Sequence, residues 1–331
     1  MNNKAPKVAV GDTQSNVNVA FKYLNYLNPF NFKNHATKTK AVFALALVCF
    51  LWGTTWIASK EGVRYMPALQ LAGIRQLAAG LLYVSFFIIR GAPFPKRKDW
   101  IPIIVLSLLN FVFSNGFSTW GLQYISAGLG SILGTIFPLW LVVIGLTQPT
   151  TTVKTKTLLG LFLSFAGICV IFYEHLYDFL NAEFRIGIFL SIVATWTWAF
   201  GTLYTKKNAA NFNPYYSLGL QMVISGAALS IISELTNNAV PISSIPWQSW
   251  VAIAYLVIFS SVISFIAYLY ALQNLPTEQV SIYAYINPII AVLLGAILFG
   301  ENLTAFIIIG VLITLYGVYL VNKSAVKINE S

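Results

Sequence analysis

Between Lys40 and Val321 the chain alternates long apolar runs with short polar breaks. Each run is close to the roughly 20 residues that a helix needs to cross a bilayer. The pattern predicts ten spans, in two sets of five. The first set is about Lys40–Ser59, Pro67–Ile89, Ile101–Leu122, Ala127–Leu146 and Thr157–Tyr173. The second is about Ile186–Thr205, Pro214–Leu235, Trp250–Leu272, Gln279–Phe299 and Ala305–Val321. Lipid offers no partner to a bare backbone N–H or C=O, so such spans are helices. Connections as short as Gln123–Ser126 and Gly300–Thr304 make successive helices antiparallel neighbours.

The apolar pattern also repeats. Shifting Gly121–Val170 forward by 150 positions lays it on Ala271–Leu320 without a gap. Leu122, Gln123, Ser131, Pro138, Gly145, Gly160 and Gly167 then fall on Leu272, Gln273, Ser281, Pro288, Gly295, Gly310 and Gly317. A shared proline, serine and glutamine carry backbone or packing meaning that interchangeable hydrophobes would not. Five spans is an odd number, so the second copy enters the membrane the other way up. The fold class expected is therefore an all-α polytopic membrane protein of ten transmembrane helices, built as two inverted five-helix repeats. The repeats run over residues 40–173 and 186–321, with polar tails at 1–39 and 322–331. Inverted repeats place a transport site between the halves and supply two related conformations for alternating access.

Charge orients the chain. With the N-terminus in the cytoplasm, all but four of the 20 lysines and arginines lie on the inner side. The exceptions are Lys60, Arg64 and Arg185 outside and Arg75 within a span, while Glu61, Glu174, Asp178, Glu183, Glu234 and Glu301 gather outside. Both termini are thus expected in the cytoplasm. The first tail has no cleavable leader pattern. Its Phe21, Leu24, Leu27 and Phe30, at three-residue steps, suit either a surface helix or a disordered tail.

Composition agrees: 57% of residues are hydrophobic, 9% are charged and the mean hydropathy is +0.73. A net charge of +10 suggests nucleic acid only until its location at span ends is seen. No nucleic-acid partner is expected; the partners are a lipid bilayer and a small-molecule substrate, with the oligomeric state open. Cys49 and Cys169 lie in separate spans and His35 and His175 outside any span, so neither metal nor cofactor is expected. An intramembrane enzyme would need an aspartate pair, a Ser–His pair or a metal site within the spans, and none is visible. No phosphate-cradling Gly-Lys-Ser/Thr loop is present either.

Chemistry is concentrated in a few intramembrane residues. Arg75 is the one charge deep in a span, where such a group faces the bundle interior or water. It is either a dock for a substrate carboxylate or phosphate, or a tie to backbone carbonyls or to Glu61. Lys60 and Arg64, at a span end, suit snorkelling to the interface. Pro138 and Pro288, at matched points, each deprive a carbonyl one turn earlier (Gly134 and Ala284) of its helical donor. Both are candidate hinges in cavity-lining helices, with a packing kink as the alternative. Gln279, Tyr283 and Asn287 share one helix face at four-residue steps, and Ser131 and Thr135 share one in the first copy. Asn287 matches Phe137, so that polarity is one-sided. Trp52 and Trp198 hold comparable places in the first span of each half, as aromatic walls. Gly160, Gly167, Gly310 and Gly317, spaced by seven in each half, suit close helix packing. No acid lies deep in a span. Glu278, at an inner edge, is the nearest proton-coupling candidate, and helix N-terminal charge compensation explains it equally. Facilitated movement or exchange is therefore expected over proton antiport.

The run Leu51-Trp52-Gly53-Thr54-Thr55-Trp56, then Ser59-Lys60-Glu61-Gly62, Met66-Pro67 and Arg75, resembles the EamA-like branch of the drug/metabolite transporter superfamily. Pro138, Asn287-Pro288 and Phe299-Gly300-Glu301 extend the likeness over about Lys40 to Val321. The resemblance implies an inner-membrane carrier, mostly an exporter of amino acids, metabolites or toxic compounds, with sugar-phosphate and nucleotide-sugar exchangers as more distant relations. The chain departs from symmetry at Glu301, whose partner in the first copy is Thr151. Glu301 is thus expected either to anchor a loop or to take part in transport on one side only. The expected function is secondary export of a small amphipathic metabolite, amino-acid-like or aromatic, without enzymatic activity. A phosphate-bearing anion exchanger, with Arg75 and Lys60 as its clamp, is the alternative.

Overall fold

A computed structural model describes residues 37–146, 155–208, 213–275, 280 and 283–325. Residues 1–36 and 326–331 of the tails, Glu278 and Gln279 lie outside the described residues. Every described element is helical. The helices are α1 (Thr37–Val63), α2 (Ala68–Ile89), α3 (Arg97–Gly121), α4 (Ala127–Gly134), α5 (Phe137–Leu146) and α6 (Thr155–Tyr173). They continue as α7 (Ala182–Asn208), α8 (Pro214–Leu235), α9 (Trp247–Asn274), α10 (Tyr283–Phe299) and α11 (Ala305–Ala325). Among the described residues, seven of these (α1, α2, α3 and α6–α9) are long and apolar enough to cross a membrane. Shorter apolar helices cover Ala127–Leu141, Ile286–Phe299 and Ala305–Val321. Phe43, Phe162, Phe189 and Ile297 stand exposed on the outside, as side chains in lipid do.

Two helix pairs tie the halves together through glycine. In α6 and α11, a Cβ on Gly167 would lie 2.5 Å from Thr314 N, and one on Gly317 2.5 Å from Ser164 N. In α2 and α8, a Cβ on Gly226 would lie 2.4 Å from Leu77 N, and one on Gly80 2.6 Å from Val223 N. Contact this close between backbones is the main source of van der Waals attraction where lipid is as apolar as the protein interior. The seven-residue spacing of Gly160/Gly167 and Gly310/Gly317 marks them as packing positions in the sequence, but not as partners of each other, and Gly73/Gly80 and Gly219/Gly226 carry the same spacing.

Two helices widen at equivalent places. In α3 the turns over Ser107–Gly116 take the looser π form, and in α9 those over Leu256–Ile263 do the same. The 150-position offset brings these stretches together. A π turn adds a residue to the helical circuit and re-aims the side chains beyond it, a device common at functional sites.

The fourth span differs from expectation. The expected continuous kinked helix Ala127–Leu146 is broken at Thr135 and Ile136, whose N–H groups bond back only three residues, to Ile132 and Leu133. Pro138 becomes the second residue of α5, where a missing N–H goes unnoticed. Pro288 stays inside α10. Matched prolines thus give a break in one copy and an interior proline in the other.

Candidate functional site

A cavity of about 180 Å³ lies among α1–α5 of the first copy and α7, α9 and α10 of the second. The two widened turns and the helical turn after each supply part of its wall. From α9 come Ser260 and Phe265, and from α3 come Ser114, Asn115, Ser118 and Thr119. Arg75 of α2, 3% exposed, reaches between them. Its Nε donates to Ser261 Oγ at 3.1 Å, Nη1 to Asn115 Oδ1 at 3.2 Å and Nη2 to Ser260 Oγ at 3.0 Å. All three partners are neutral. Thr55 Oγ1 also donates to Ser260 Oγ at 2.9 Å, and Tyr83 Oη donates to the carbonyls of Ser261 and Val262. The guanidinium is therefore held in place but not neutralised. Its expected alternative partner, Glu61, pairs instead with Arg64 at 3.1 Å on the surface.

Aromatic rings close one side. Trp52 packs against Phe265 (5.3 Å), Tyr268 (5.0 Å) and Tyr283 (5.0 Å), and its Nε1 donates to Ser260 O at 3.4 Å. Trp198 of α7 lines the same space, as do Tyr283, Ala284, Asn287 and Pro288 of α10. With its amide nitrogen turned towards the neighbouring carbonyls, Asn287 donates to Cys49 O at 2.8 Å and Tyr283 O at 3.0 Å, joining α10 to α1. Opposite lie Gly130, Ser131, Gly134 and Phe137, with the Ser131 hydroxyl spent on Gly128 O at 2.6 Å.

The structure thus brings Arg75, Trp52, Trp198, Ser131, Tyr283, Asn287 and Pro288 to one cavity. Thr135 is buried off the cavity wall, donating to Ile132 O at 2.7 Å. The sequence reading missed Asn115 and Ser260, the two side chains that grip both ends of the guanidinium. A signal existed for Asn115, since an amide in mid-span needs a partner. Nothing distinguished Ser260 from any other intramembrane serine.

Two charges near span ends hold backbone groups, against the snorkelling expected of Lys60 and in line with the loop-anchoring alternative for Glu301. Lys60 does not reach for the interface; its Nζ donates to Leu122 O at 2.7 Å and Ile125 O at 2.8 Å, satisfying carbonyls left open at the end of α3. Glu301 accepts from Ala127 N at 2.8 Å and Gly128 N at 3.0 Å, capping α4 from the other half of the chain. Its carboxylate fills a slot that a Cβ on Gly295 would obstruct at 2.4 Å, and Gly300 takes φ +67° to aim it. Lys60 and Glu301 therefore hold the α3–α4 turn from both sides. Glu301→Ala is expected to cost about 1–3 kcal/mol by leaving two N–H groups without acceptors, read as a lowered Tm of the purified protein.

Among the described residues, the all-helical build, a cavity where the two copies meet, a buried cation with neutral partners and an aromatic wall fit a multi-pass membrane protein. The EamA-like transporter family model matches residues 39–173 and again residues 185–323, and the chain belongs to that family. It is 28% identical over 302 residues to the "uncharacterized transporter YvbV" of Bacillus subtilis, covering 88% of this chain and 97% of that one. It is 29% identical over 273 residues to the "uncharacterized inner membrane transporter YedA" of Escherichia coli, covering 80% and 83%. A solved crystal structure shares the fold at a TM-score of 0.62 and 14% identity, over 86% of this chain and 97% of that one. The protein is a membrane transporter of the drug/metabolite transporter type.

Proposed function

We propose that the protein is a secondary transporter that exports a small amphipathic metabolite, amino-acid-like or aromatic, across the bacterial inner membrane. Ten spans in two inverted repeats, residues 40–173 and 186–321, rock about the central cavity to give alternating access, with both tails in the cytoplasm. The observation that carries this reading is a guanidinium with only neutral partners on the wall of a cavity built from both copies. An anionic group of the solute docks on Arg75, and its apolar part lies against Trp52, Trp198 and Tyr283.

Correspondences between the copies support the inverted arrangement. An offset of 146 matches Trp52 with Trp198, Thr55 with Gly201 and Arg75 with Gln221, and the offset of 150 matches Ser260 with Asn110. Thr55 touches Ser260 across the halves, and the matched Asn110 fills the space that a Cβ on Gly201 would take, at 1.7 Å. The absence of any Asp or Glu from the described cavity lining supports facilitated movement or exchange over proton antiport. Glu278 is left as the coupling residue should a proton gradient prove necessary. The engagement of Lys60 with two carbonyls weighs against a two-cation phosphate clamp.

Counterflow in proteoliposomes loaded with mixed amino acids and aromatic metabolites, with no pH gradient, tests the proposal. Uptake of label establishes a carrier and competition names its solute. Silence for these solutes, with uptake of sugar phosphates or nucleotides, transfers the assignment to a phosphate exchanger. Asn287→Phe, which makes the second copy imitate Phe137 of the first, removes two hydrogen bonds and fills the cavity. A rise of about tenfold or more in the half-saturating solute concentration is expected; an unchanged value removes Asn287 from the site.

A further inference from the structure

Of the two kinds of solute proposed above, amino-acid-like or aromatic, the charge of the cavity favours an aromatic acid without an ammonium group. A guanidinium has five N–H donors, and three of those of Arg75 are spent on Ser261, Asn115 and Ser260. One N–H on each of Nη1 and Nη2 has no partner among the described residues, in a side chain that is 3% exposed and lines the cavity. Two donors, one on each Nη, match in number the two oxygens of a carboxylate. No described lining residue is acidic.

We propose, resting on the carrier reading above, that the cavity selects organic monoanions bearing a free carboxylate, and discriminates against zwitterions and amines. A carboxylate on Arg75 cancels the one charge among the described lining residues, so the occluded, loaded cavity is neutral. An α-ammonium, one carbon from that carboxylate, restores a net positive charge beside the guanidinium with no anion facing it. Like charges at that range in a poorly solvated site repel strongly. A phosphate dianion errs in the opposite direction, leaving the single cation outnumbered.

The test uses the full-length purified protein and four probes that share a phenyl ring: 3-phenylpropanoate, L-phenylalanine, 2-phenylethylamine and phenyl phosphate. Binding is read at pH 7 by tryptophan fluorescence, since Trp52 and Trp198 line the cavity, and by thermal shift. The expected result is saturable binding of 3-phenylpropanoate at least about tenfold tighter than L-phenylalanine and phenyl phosphate, with none for the amine. Arg75→Gln abolishes that preference. Should this variant fail to fold, Arg75→Lys keeps the charge but loses the fork, and is expected to weaken the acid at least about fivefold while preserving its lead over the amino acid. Equal or tighter binding of L-phenylalanine overturns the proposal, as does a lead for phenyl phosphate, acid binding indifferent to both Arg75 variants, or no binding of the acid. Binding of the acid without counterflow sinks the carrier reading alone, whereas counterflow of amino acids but not of acids sinks the selectivity alone.

Discussion

Arg75→Ala is expected to reduce counterflow to the level of empty liposomes while the protein still elutes as a single folded species. Deleting one member of a buried, hydrogen-bonded charge pair costs about 2–5 kcal/mol of binding, or roughly 30- to several-thousand-fold in affinity. The groups left behind explain why folding survives. Ser260 keeps its bond from Thr55, and the π turn of α9 keeps its bonds from Tyr83. Removing the guanidinium also removes a buried cation that no anion compensates, so part of the lost hydrogen bonding is offset by relief of its desolvation. Wild-type counterflow in the alanine variant would show that Arg75 belongs to the scaffold and that the solute docks elsewhere.

The largest effect on stability is expected at Gly167. An alanine there would place its Cβ 2.5 Å from Thr314 N and 2.7 Å from Gly310 O, backbone atoms that have no rotamer to yield. Helix α6 must then back away from α11 along the whole glycine seam, since Gly160 and Gly317 sit equally close to their opposite backbone. Overpacking of this kind costs about 1–3 kcal/mol or more. A drop in Tm of at least ~5 °C is expected, whereas Leu158→Ala on the lipid face, at a side chain 53% exposed, should change it little. Equal Tm values for the two variants would mean that the seam is looser than drawn.

How legible the site was depends on the residue. Arg75, Asn287 and the tryptophans announce themselves because a charge, an amide or a large ring inside an apolar run needs an explanation. Thr135 looked equivalent to Ser131 because both stand on one face of an ideal helix. The helix breaks at Thr135 itself, so only Ser131 reaches the cavity. Lys60 and Glu301 were visible as charges near span ends, but their partners, the carbonyls of Leu122 and Ile125 and the amides of Ala127 and Gly128, are backbone atoms far away in the chain. No side-chain pattern marks such atoms.

From the sequence alone came the apolar spans, their duplication, the basic bias of one set of loops, the lone intramembrane arginine and the family resemblance. Each of these depends on what a single helix requires of lipid and water. Tertiary structure alone decided which polar groups meet: Arg75 with Ser260 and Ser261, some 185 positions on, and Thr55 with Ser260. It also decided where α3 and α9 widen and where α4 ends. The physical reason is the solvent. In water, a helix shows its inner face by being apolar on one side only, but in a bilayer the face towards lipid is as apolar as the face towards protein. The hydrophobic pattern therefore says that a helix lies in the membrane, and only packing says which way it looks.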